Sequence, residues 1–155
     1  MIVAALIVDP LDGAVSMGEQ SRVFRGMDLK SVRMNLGPFI SNETTWGTYH
    51  RLECHLGEDK DHLTFGGWRA EVISTLQDET LVGLSWRLWP NKGKAWPLEG
   101  ETDYEQMRVL RTTLRAQLDR SFTERFEQFE WGSVGCLPDL HTNDPSVRLQ
   151  YRTAA

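Results

Sequence analysis

"HLTFGGWRAEVISTLQDETLVGLSWRLW", residues 62–89, alternates apolar and polar side chains with few breaks, and that period of two decides the fold. Successive side chains of a strand point to opposite faces. Leu63 and Phe65 therefore belong to one parity, and Trp68, Ala70, Val72 and Leu76 to the other. The switch falls at Gly66-Gly67, where one extra residue, a β-bulge, would turn every later side chain over. "QDET", residues 77–80, reads as a hairpin turn into a further strand whose core set is Val82, Leu84, Trp86 and Leu88. Trp86 belongs to packing by this register, whereas Arg87 and Trp89 face the other way.

The same period extends upstream. In "WGTYHRLECHL", residues 46–56, Trp46, Thr48, His50, Leu52, Cys54 and Leu56 alternate with a wetter set, Gly47, Tyr49, Arg51, Glu53 and His55. "GEDKD", 57–61, is a charged turn. Before these strands, "MDLKSVRMNLGP", 27–38, offers Asp28 as a helix cap, Leu29, Val32 and Leu36 at helical spacing, and Gly37-Pro38 as a stop. "MIVAALIV", 1–8, lacks the basic n-region of an export signal and runs into the turn "DPLDG", so it is a strand candidate. Residues 9–20 carry no assignable function.

Downstream, "ETDYEQMRVLRTTLRAQLDRSF", 101–122, switches to the helical period: Tyr104, Met107, Leu110, Leu114 and Leu118 form one apolar stripe. Thr102 and Glu105 read as its capping box. In "SFTERFEQF", Phe122, Phe126 and Phe129 either extend this helix or begin a second one at Ser121. "EWGSVGCLPDLHTNDPSVRLQYR", 130–152, reads as two strands about the turn "TNDPS", with Val147, Leu149 and Tyr151 on one face. Strands on both sides of one dominant helix predict an α+β fold: a mostly antiparallel sheet with a long amphipathic helix, about 103–120, and a short one, about 28–36, packed on it. The chain's 155 residues are the size of one domain.

Seventeen basic against 22 acidic residues give a net charge of −5, spread evenly along the chain. Duplex nucleic acid is not an expected partner, because the Lys and Arg surplus that neutralises phosphates is missing. No apolar run approaches the ~20 residues of a membrane helix. The two isolated cysteines, Cys54 and Cys136, form neither a disulfide framework nor a CxxC pair and fit a reducing cytoplasm.

Metal-like residues gather in "HRLECH", yet alternation separates His50 and Cys54 from His55, and a third ligand would have to come from His62 or His141. No metal is expected. No nucleophile elbow occurs, since "WGSVG" around Ser133 leads into strand-like sequence, and no catalytic residue is assigned. Phosphate-binding glycine loops are absent too, so no cofactor is expected. Binding chemistry concentrates instead in "WPNKGKAWPLEG", 89–100, where Trp89, Lys92, Lys94 and Trp96 place aromatic faces and ammonium groups on one loop. The opposing reading is that both rings fold back on the sheet edge.

A short helix, a Trp-rich meander, a capped amphipathic helix and the ending "FEWGSVGCLPDL…VRLQY" resemble the small bacterial immunity-type proteins that neutralise toxins encoded beside them, over roughly residues 21–152. The resemblance implies a non-enzymatic cytoplasmic inhibitor whose partner is a toxin domain. The alternative is a small enzyme or ligand carrier with a pocket between sheet and helix, built on His50, Cys54 or His141. An exposed edge strand would also suit a homodimer.

Overall fold

The structure, a computed structural model, describes residues 2–19, 21–54, 61–88, 101–119, 126–138 and 144–153. In chain order its elements are β1 (Val3–Val8), β2 (Val15–Met17), β3 (Arg22–Val23), α1 (Leu29–Leu36), β4 (Asn42–Trp46), β5 (Tyr49–Cys54), β6 (His62–Phe65), β7 (Trp68–Gln77), β8 (Thr80–Leu88), α2 (Glu101–Leu118), β9 (Phe126–Phe129), β10 (Gly132–Pro138) and β11 (Pro145–Tyr151). The fold is α+β, and every described strand pair is antiparallel except β1 with β6.

The central strand is β7. One edge pairs with β8 along its length, while the other takes β6 at Trp68–Ala70 and β5 at Val72–Gln77. From β8 the sheet continues through β11 and β10 to β9, and from β6 through β1 and β2 to β3.

Two turns differ from the sequence reading. Gly66-Gly67 is a two-residue hairpin turn, not a bulge: both residues have positive φ, 61° and 83°, and Phe65 pairs with Trp68 across it. A glycine is needed at 66 also because any Cβ there would run into Val109 and Thr113 of α2. Likewise 46–56 is not one strand. Gly47-Thr48 turns the chain, so β4 pairs with β5 and Trp46 faces Tyr49. A bulge does occur in β8, where Thr75 pairs with Gly83 and Leu76 with Leu81. Val82 is the extra residue and is only half-buried; Leu81 takes the core position.

One face of the sheet carries the core. Leu52, Cys54, Val72, Leu76, Leu84, Trp86, Val147 and Leu149 are buried with Leu110, Leu114 and Leu118 of α2 and Val32 and Leu36 of α1 in one cluster. Each fully buried Leu contributes roughly 2 kcal/mol of transfer free energy. Asp28 caps α1 as expected, its side chain accepting a hydrogen bond from the Ser31 N–H. Helix α2 begins at Glu101, so Thr102 lies inside its first turn instead of before it, and Tyr104 is 76% exposed, leaving the stripe to start at Met107. Phe126–Phe129 form neither a helical extension nor a second helix; they pair with β10 as a strand.

The sheet curls until its far parts meet. The Trp131 indole N–H donates to the Pro10 carbonyl at 3.0 Å, and the Tyr151 hydroxyl donates to that of Gly13 at 2.7 Å. Where β6 no longer accompanies β1, the Gln117 carboxamide of α2 takes its place, accepting from the Val8 N–H at 2.8 Å and donating to the Leu6 carbonyl at 2.9 Å.

Candidate functional site

With both helices in the core cluster, the opposite face of β5, β7, β8 and β11 is left as an open, concave surface. The Gly47-Thr48 turn sets its near wall, because residues paired across a two-residue turn share a face. Trp46 and Tyr49 stack there with ring centroids 6.0 Å apart and planes 24° from parallel. The Arg51 guanidinium, two residues along the strand, lies 5.6 Å from the centre of the Trp46 ring, within cation–π range. Both rings remain open to solvent, Trp46 at 50% and Tyr49 at 38%.

Ile73, Thr75, Gly83 and Ser85 make the floor of a groove of about 500 Å³, and Arg148 and Gln150 of β11 its far wall. Gly83 is dictated by close approach: a Cβ there would lie 2.8 Å from the Leu149 carbonyl oxygen. Its missing side chain also keeps the floor low. The charges are one-sided, since Arg51 and Arg148 line the groove and no carboxylate does. Glu53, also on this face, stands 3.8 Å from Arg51. Arg87 on the same face is taken up by Glu71 and Asp144, each at 2.7 Å.

Trp89, Lys92, Lys94 and Trp96, the residues on which sequence reasoning placed partner binding, lie outside the described residues, as do His55, Glu58, Asp59 and His141. His50 and Cys54 share a face of β5 but stand four residues apart, about 13 Å at strand rise, and do not converge. On His50, Nδ1 is 3.0 Å from the Thr45 hydroxyl, while the buried Nε2 makes no hydrogen bond among the described residues and lies 3.5 Å from a Glu43 carboxylate oxygen. The Arg33 guanidinium, bonded to Glu43 at 2.7 and 3.0 Å, holds that carboxyl below its ordinary range. Burial pushes the Cys54 thiol up to about 12, so it carries no thiolate at neutral pH. Among the described residues no group of three His, Cys, Asp or Glu side chains is placed to hold a metal. Ser133 sits mid-strand between Gln128 and Gln150, not on a strained turn.

The trio Trp46, Tyr49 and Arg51 is hidden from a parity that runs straight through Gly47, which puts Trp46 on the face opposite to Tyr49 and Arg51. The available signal was the glycine itself, at the first position of a two-residue turn.

No protein-family model matches this chain, and no curated protein does. A solved structure described as "Rhs1-CT in complex with cognate immunity protein RhsI1" contains a similar chain: TM-score 0.51 and 15% identity, covering 97% of this chain and 89% of that one. At that identity the likeness is one of fold. No described helix is long and apolar enough to cross a membrane.

Proposed function

We propose that this protein is a non-enzymatic binding protein of the immunity type, which neutralises a toxin domain in the cytoplasm by occupying it. The observation that carries this reading is the open sheet face, where a stacked Trp46–Tyr49 pair, an arginine held over it and a second arginine across a groove concentrate the residue types that dominate protein interfaces. The fold likeness supports it, because it spans nearly the whole of both chains and the similar chain belongs to a complex of Rhs1-CT with its cognate immunity protein. Of the two roles in such a complex, the described chemistry favours the inhibitor: His50 and Cys54 stand too far apart on β5 to converge on one site, and the Cys54 thiol is kept neutral by burial. Trp89, Lys92, Lys94 and Trp96 enter the proposal as a second aromatic and cationic set, in the one domain that the chain's length suggests.

Affinity capture of the tagged protein from its source lysate, followed by co-expression of the captured partner, tests this reading. The expected result is one stoichiometric protein that is toxic when expressed alone and harmless when co-expressed with this chain. A captured protein that is harmless alone, or retention of a small molecule with no protein, would overturn it.

A further inference from the structure

We infer, on the basis of that binding role, that the partner presents an acidic segment to the groove, with carboxylates held at one wall by Arg51 and at the other by Arg148. The chain as a whole is acidic, at −5, yet this groove is lined by two arginines and no carboxylate. That local inversion of sign makes it complementary to negative charge. A guanidinium presents a planar fork that matches a carboxylate in a bidentate pair. Arg51 is oriented for this by the Trp46 face beneath it, which limits the entropy lost on binding, and a partner carboxylate there shares or displaces its long 3.8 Å contact with Glu53. Arg148 has no ion-pair partner among the described residues, unlike Arg87 on the same face, which Glu71 and Asp144 occupy.

The register sets the spacing. Arg51 pairs with Thr75, Thr75 with Gly83 and Gly83 with Gln150, and Arg148 is two residues along β11 from Gln150. Three strand spacings and two residues separate the guanidinium-bearing positions by on the order of 15 Å along the sheet. Two cations that far apart do not form the contiguous basic track that a nucleic-acid backbone follows. Between them lies a methyl-rich and hydroxyl-bearing floor, Ile73, Thr75 and Ser85, and the exposed rings of Trp46 and Tyr49 flank it at the Arg51 end. Such a floor suits the side chains of a polypeptide lying across the face, with acidic residues toward its two ends.

The test is titration of the ¹⁵N-labelled protein with hexaglutamate, hexalysine, inorganic phosphate and a single-stranded oligothymidine, following the arginine Nε–H and tryptophan indole signals. Hexaglutamate is expected to move Arg51, Arg148 and Trp46, more weakly as salt rises. R51Q/R148Q should lose at least about tenfold in affinity, R51K/R148K less, and the charge-matched R108Q/R111Q on α2 should stay within about twofold of the parent. No movement with hexaglutamate at about 1 mM, equal movement with hexalysine, or an equal loss in R108Q/R111Q overturns the inference. Tighter binding of phosphate or oligothymidine at the same signals overturns it as well. The two readings fail separately. A captured toxin that binds R51Q/R148Q as well as the parent removes the acidic-segment inference and leaves the immunity reading, whereas hexaglutamate binding without any captured toxin does the reverse.

Discussion

Replacing Gln117 with Met tests how the helix is joined to the sheet. Met is about as good a helix former as Gln and similar in length, so the substitution keeps the helix and most of the packing while removing both hydrogen bonds to β1. The Val8 N–H and Leu6 carbonyl are part-buried, and beyond Ala5 strand β6 no longer pairs with them. An orphaned backbone group costs about 1–3 kcal/mol when fully buried, and water reaches these in part, so two groups at the low end give about 2 kcal/mol. For a domain of this size that is a fall of roughly 4–8 °C in Tm, or about 1 M in the urea midpoint at a slope near 2 kcal/mol/M. Urea unfolding followed by tryptophan fluorescence measures the change, and amide hydrogen exchange at Val8 locates it. The groove is on the other face, so partner binding should not alter. A loss below about 0.5 kcal/mol with Val8 protection intact would mean that the carboxamide does not act as a strand partner, and the joining of α2 to β1 would have to rest on apolar contact alone.

Five further outcomes follow from the geometry. Trp46→Ala should cost about 1 kcal/mol of stability, because half of the ring is already in water and the loss is chiefly its stacking on Tyr49, yet weaken binding to a captured partner by about tenfold or more in calorimetric titration. Gly83→Val places a Cβ against the Leu149 carbonyl and fills the groove floor, so both Tm and partner affinity should drop; an unchanged Tm would refute the close approach of β8 and β11. The Cys54 and Cys136 thiols, pushed up to about 12 by burial against an ordinary 9.0, should resist a disulfide-exchange reagent in the native protein at pH 8. Since folding favours their neutral form, their contribution to stability is full below about pH 9 and falls as pH rises toward 12, a trend that alkaline urea melts would show or deny. Asp28 is held below 3.8 by the hydrogen bond from Ser31, so its stabilisation is present above pH 3.8 and lost as pH falls further; Asp28→Asn should flatten that part of an acid-unfolding curve.

Much of this was legible in the sequence, and the failures share one cause. A two-residue turn brings residues i and i+3 face to face, and these have opposite parity. Counted along the chain, a hairpin turn therefore gives the same switch as a one-residue bulge. Phe65 and Trp68 across Gly66-Gly67 show this, and so do Trp46 and Tyr49 across Gly47-Thr48. Only the turn chemistry distinguishes the two cases. The cap at Asp28 and the core role of Trp86 were readable because each depends on residues near in sequence. Phe126 and Phe129 have spacing compatible with a helix, but the free edge of β10 offers them backbone partners, and tertiary pairing overrides the local period. The groove itself was not readable. It joins β5, β7, β8 and β11, and Arg51 and Arg148 meet on one face only through a strand order that no local signal encodes.

An antiparallel sheet covered on one face must carry polar side chains on the other. Glu71, Thr75, Ser85, Arg87, Arg148 and Gln150 satisfy that demand and need no further explanation. Trp46 and Tyr49 do not. They close no core, since both stay exposed, and the β4–β5 turn beside them needs only its glycine to form. Single exposed apolar residues such as Leu11 and Met34 are ordinary on a protein surface. Two large rings stacked on each other under a guanidinium, beside a concavity whose far wall carries a second guanidinium, are a different case. Packing does not account for their exposure, whereas the proposed partner laid across the face would.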